Sequence, residues 1–265
     1  MSSHVLLSLA ALAALVPAAV RAQWGMQRQD AIFWLLIGAA LAGLVARAAT
    51  ALAPAWHTSL SGALWITTAA SLAIFIVVAA VARDAWRLAP LLLPYLILLG
   101  ILGTIWQESP ERPLAPAPAV WLDLHILISV GTYGLLTIAA VAGIAVLIQE
   151  RALKTKRRSG LNQRLPAVST CEQLQARLLA ASEIVLGLGL ATGMATKYFV
   201  SGRLLALDHK TLFSLLAFAV IAALLIADAR SGVGGRRAAR FVLLAYLLLT
   251  LAYPGVKFVT DVLLA

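Results

Sequence analysis

The chain has 265 residues, 62% of them hydrophobic and only 12% charged, with a mean hydropathy of +0.93. Soluble domains carry about 45–50% apolar and about 25% charged residues, so a water-soluble enzyme and a disordered chain are both excluded. A single cysteine, Cys171, excludes an internal disulfide and any cysteine-pair metal or covalent haem site.

The apolar runs are continuous and do not alternate with polar residues as the strands of a membrane barrel do. They predict an all-α polytopic membrane helix bundle of about eight transmembrane helices, near 4–20, 31–53, 62–82, 88–105, 121–148, 178–199, 209–229 and 239–262. The first run is followed at 20–22 by a small-x-small pattern that resembles a signal-peptide cleavage site, but residues 1–4 contain no Lys or Arg. It is therefore read as a retained helix.

The basic residues sort by membrane side. Arg21, Arg28, Arg83 and Arg87 fall in the first and third connections. Arg151, Lys154, Lys156, Arg157, Arg158, Arg164 and Arg177 crowd the fifth, and Arg230, Arg236, Arg237 and Arg240 the seventh. Only Arg47, Arg112, Lys197, Arg203, Lys210 and Lys257 lie toward the other side. The positive-inside rule then places both termini outside the cytoplasm. The net charge of +10 is thereby explained by orientation and anionic lipid, not nucleic acid.

Spans five and seven run in the same direction, and each opens with a histidine, His125 and His209. Two imidazoles on different helices at one membrane face are suited to a shared metal or haem iron. Ser129 and Thr132 follow His125 on the same helical face, with Tyr133 at its edge. Both hydroxyls are expected to bond backbone carbonyls. Asp208 is a good N-cap for the seventh span, whose N-terminal field disfavours a charged His209. Among weaker signals, His4 and His57 are expected to be interfacial. Trp24, Trp56, Trp86, Trp106 and Trp121 read as an aromatic belt. Glu183 is expected to pair with Arg177 or reach toward the interface, and Lys257 and Asp261 to form an interfacial i,i+4 pair. Gly189 and Gly193 read as a small-xxx-small helix contact, and Cys171 as an ordinary cytoplasmic thiol.

The segments WLDLHILISVGTY at 121–133, LDHKTLFSL at 207–215, GVGGRR at 232–237 and LAYPGVKF at 251–258 occur in an order that resembles the cytochrome c assembly (haem-handling) family, in particular its YpjD-like branch. The resemblance covers 121–265 and divides the chain into an N-terminal four-helix membrane region, 1–120, and a C-terminal four-helix cytochrome c assembly-like region. It implies a multi-pass protein of the bacterial inner membrane, not an enzyme, that binds haem b non-covalently at its outer face. Its partners would be the lipid bilayer, haem and other cytochrome c maturation proteins. His125 matches the family's first external haem-ligand histidine, and Asp208 and Lys210 match residues of its tryptophan-rich haem-cradling loop. The tryptophans of that loop are absent from 196–208, His209 stands where the family has proline, and 254–265 contain no histidine. His209 is accordingly expected to act as the second ligand. Trp121 and Tyr133 are expected near the haem, with Lys210 or Arg203 pairing with a propionate. Two alternatives stay open: a cofactor-free structural partner, and a small-solute or ion transporter accessory protein using the same histidines.

Overall fold

A computed structural model describes residues 3–24, 30–52, 57–107, 112–113, 119–156, 159–202 and 208–263. Helices dominate. In chain order they are α1 (Ser3–Gln23), α2 (Ala31–Leu52), α3 (Leu60–Val81), α4 (Ala89–Ile105, entered through a 3-10 turn at Ala85–Leu88), α5 (Ala119–Thr155), the short α6 (Gly160–Arg164), α7 (Val168–Ser201), α8 (His209–Ser231) and α9 (Gly235–Thr250). After Thr250 the last helix continues through widened turns to Leu263. Eight of these segments are long and apolar enough to cross a membrane. At one end of the bundle His57–Thr58 pairs antiparallel with Arg112–Pro113, joining the α2–α3 and α4–α5 connections.

Local chemistry sets the ends. Ser59 caps α3 by accepting from the Gly62 N–H at 3.1 Å. Ser159 and Asn162 form a reciprocal capping box on α6. The last helix meets Pro254, which cannot donate to the helical ladder. The helix widens there, so that the Val256 N–H reaches five residues back to the Leu251 carbonyl.

Two helices outrun their hydropathy. Apolarity predicts spans ending at 148 and beginning at 178, whereas α5 runs to Thr155 and α7 starts at Val168. At 37 residues and about 1.5 Å each, α5 exceeds the roughly 30 Å hydrocarbon core. Its charged end therefore continues as helix beyond the apolar layer.

The long α5 is the centre of the bundle, with α3, α7 and α9 packed around it and α1 lying on α2 and α4. Gly134 on α5 permits the closest approach to α3: a Cβ there would come within 2.5 Å of Ile74 Cδ1 and 3.5 Å of Ser71 Cα. Polar ties cross the same core. The Tyr246 hydroxyl on α9 is hydrogen-bonded to Tyr95 of α4 and lies 3.1 Å from the Tyr133 hydroxyl of α5. Farther out, the buried Arg47 donates from Nε to Ser8 Oγ at 2.8 Å, and its guanidinium sits over Trp65. In an apolar medium such groups need internal partners.

The aromatic belt is incomplete. Trp24 is exposed, but Trp86 is buried edge-on against Phe33 because the 3-10 turn before α4 rolls it inward. Trp56 lies outside the described residues, as do the side chains of His4 and His57.

Candidate functional site

The N-terminal part of α5 borders a cavity of about 340 Å³, closed by α3, α7, the start of α8 and the last helix. That volume falls in the range of small-molecule pockets, about 300–1,000 Å³. Its walls are mostly apolar, with Ile66, Leu122, Leu186 and Leu249 among them. The chemistry is contributed by His125, Tyr133, Lys210 and Lys257. Ser129 and Lys210 line the cavity and are exposed, which marks its open side.

His125 lies in the second turn of α5, because the helix begins at Ala119. Its ring is half-buried against α7. Nδ1 is 3.2 Å from Thr192 Oγ1. The threonine hydroxyl also lies 2.9 Å from the Leu188 carbonyl and 3.1 Å from that of Gly189, so its own proton is directed at the backbone. Thr192 Oγ1 is then left to accept from Nδ1–H, which assigns the tautomer with an unprotonated Nε2. Gly193 makes room for the ring. A Cβ at that position would stand 3.0 Å from His125 Cε1 and 3.5 Å from Nδ1. Gly189 behaves as a packing glycine, with Ile128 Cγ2 at 3.4 Å from such a Cβ, whereas Gly193 is a histidine contact as well.

The other expected site residues separate into two groups. Tyr133 and Lys210 join His125 on the wall, and Thr132, also on it, donates to the Ile128 carbonyl at 2.9 Å as expected. Outside the wall, Trp121 is exposed and lies against Phe199 of α7, ring centres 6.2 Å apart. His209 is the first residue of α8, exposed and absent from the cavity wall, although its neighbour Lys210 is on it. Asp208 caps α8, accepting from the Thr211 N–H at 2.8 Å, and receives Lys197 Nζ at 2.7 Å. Burial pushes its carboxyl upward, but the bonds from Lys197 and Thr211 outweigh that and hold it at about 2. Asp208 is therefore a structural anion at neutral pH. Arg203 lies outside the described residues.

Three sequence expectations are corrected. Lys257 and Asp261 form the expected i,i+4 pair at 4.0 Å, but they face the protein interior and not its surface: they are 6% and 5% exposed, and Lys257 lines the cavity. The widened turn at Pro254 changes the angular register of the helix end and carries both inward. Glu183 does not pair with Arg177; both its carboxylate oxygens are buried and accept no hydrogen bond from the described residues. Cys171 is fully buried, its Sγ 3.5 Å from the Pro166 carbonyl, because α7 begins before its apolar stretch and packs its first turns against the core. Thr192, Tyr253 and Lys257 are the site residues that sequence reasoning missed. Only Lys257 carried a signal, the Pro-Gly step just before it.

The sequence profile of the cytochrome c assembly protein family matches residues 24–264. The chain belongs to that family. The match reaches well upstream of the segments that carry the resemblance and takes in the second, third and fourth spans. Membership in the cytochrome c assembly family, with eight membrane-length helices, makes this a multi-pass membrane protein of cytochrome c maturation. Among its relatives, an uncharacterized 28.8 kDa protein in the nifR3-like 5′ region of Azospirillum brasilense is 54% identical over the whole of both chains. The inner membrane protein YpjD of Escherichia coli K12 is 26% identical over 67% of this chain and 66% of its own. Protein HemX of Brevibacillus brevis is 26% identical over 55% of each. No solved structure matches the chain.

Proposed function

We propose that this protein handles haem in the bacterial inner membrane, holding haem b non-covalently in the cavity beside His125 on the extracytoplasmic side and presenting it to other cytochrome c maturation proteins. The single observation behind this reading is the placement of His125: its Nδ1 is tied to Thr192, which leaves Nε2 for a ligand, and the ring borders an apolar cavity. The residues present fit the group. Haem b would supply an iron that accepts imidazole nitrogen, carried in a largely apolar macrocycle. His125 would ligate through Nε2, with Nδ1–H held by Thr192 as metal-bound imidazoles commonly are. Tyr133 and the apolar side chains of α3 and α7 would exclude water. Lys210 at the open side would meet a propionate. His209, one residue from Lys210, is the proposed second ligand, and Trp121 with Phe199 would shield the outer edge. In this reading the protein binds and presents but catalyses no reaction.

Optical titration of the full chain in nanodiscs with iron protoporphyrin IX tests it. The wild type is expected to take up one equivalent with low-spin, bis-histidine bands. His125→Ala is expected to lose the bands, and His209→Ala to give a high-spin spectrum. An unchanged His209→Ala spectrum would remove His209 from the site and leave His125. No uptake by the wild type would leave a cofactor-free assembly partner.

A further inference from the structure

The buried end of the cavity holds a charge that ordinary membrane packing does not explain. Lys257 is 6% exposed, belongs to a membrane-length helix, and lines the cavity. An ammonium in such a place is costly and normally marks a functional contact. Its position is built by the chain: the widened turn at 251–255 turns the helix end so that Lys257 and Asp261 both face inward. Asp261 is itself fixed, since the Thr260 hydroxyl donates to its Oδ1 at 3.0 Å. At 4.0 Å from Asp261 Oδ2, the ammonium is neutralised electrostatically without being hydrogen-bonded to that oxygen. A second ammonium, Lys210, stands on the same wall at the open side, and no acid among the described residues is paired with it. The cavity thus has apolar walls, one deep cation balanced by an internal carboxylate, and one shallow cation without such balance.

We infer that Lys257 is a carboxylate-recognition residue, so that the cavity selects an amphiphile by its acid group: the ligand's carboxylate shares the Lys257 ammonium with Asp261 at the buried end, while Lys210 attracts anionic groups at the mouth. Applied to the proposed haem cargo, this makes a propionate the recognised feature and adds to the histidine ligation a separate determinant. The shared chemistry, an apolar body bearing a carboxylate, also fits a long-chain fatty acid, and the experiment separates the two.

The full chain in phosphatidylcholine nanodiscs is titrated with iron protoporphyrin IX and with its dimethyl ester, which keeps the ring and iron but removes the charge. A charge-assisted hydrogen bond corresponds to about a tenfold or greater change in affinity. The wild type is expected to bind the diacid at least about tenfold more tightly than the diester. Lys257→Met is expected to abolish most of that preference by weakening the diacid alone, and Lys257→Arg to retain it. Equal affinity of the wild type for diacid and diester overturns the inference while leaving the haem reading intact, and needs no variant to be folded. So does a Lys257→Met protein that keeps the preference, or one that weakens both ligands alike. If the wild type binds neither porphyrin, the haem reading fails, and the same comparison with palmitate against methyl palmitate decides the inference: acid preference lost in Lys257→Met supports it, and no preference overturns it.

Discussion

At the scale of single residues, the site depends on how one imidazole is held. His125 is oriented by Thr192 and accommodated by Gly193, both one helix away on α7. Supporting contacts of this kind commonly change metal affinity by about 10–100-fold. Gly193→Ala is expected to push the ring by a few tenths of an ångström and weaken haem binding about tenfold, while Gly131→Ala, where a Cβ meets nothing within 4 Å, leaves it unchanged. Optical titration of the two variants checks this, and equal affinities would contradict it. The histidine itself was legible from sequence because it opens a span. Its partners were not, because a threonine and a glycine within an apolar run have packing explanations that outnumber functional ones. Asp208 was legible as a cap and proved to be one, held ionised by Lys197. The i,i+4 pairing of Lys257 with Asp261 was legible, but its inward direction was not, because Pro254, three residues earlier, widens the helix and shifts its register.

At the scale of elements, the eight spans follow directly from hydropathy, and outside α5 and α7 their limits fall close to the observed helix ends. The misses are the polar extensions of α5 and α7 and the short α6, which hydropathy cannot register because lipid does not select them. Contacts between helices are also silent in a composition that is apolar on all sides. The α3–α5 contact is an example, resting on Gly134 opposite Ile74 and Ser71. Overpacking a tight contact typically costs about 1–3 kcal/mol. Gly134→Ala is expected to lower the thermal midpoint in detergent, and adding Ile74→Val, which removes the Cδ1 lying at 2.5 Å, to recover part of the loss. Additive destabilisation in the double variant would show that the two residues do not share that contact.

For the whole molecule, charge and apolarity divide the work. The basic connections gather at the end where α5 leaves the apolar layer and α7 enters it, and His125, Lys210 and the cavity lie toward the other end. Between them, the tyrosine hydroxyls of α4, α5 and α9 tie the first helices to the later ones. The cavity follows the same pattern, since α3 contributes one wall and α5, α7, α8 and the last helix the others. The resemblance was readable only in 121–265, where the histidine, aspartate and glycine segments lie. The family match nevertheless begins at residue 24. Lipid-facing helices conserve apolar character more readily than residue identity, so the earlier spans offer the eye little to recognise. The most direct measurement of the central claim is a structure, by crystallography or electron microscopy, of the full chain loaded with iron protoporphyrin IX. The account predicts the porphyrin in the cavity, with its iron about 2 Å from His125 Nε2, the usual metal–imidazole length. Iron bound elsewhere, or a porphyrin in the cavity with His125 still turned away from it, would contradict the account.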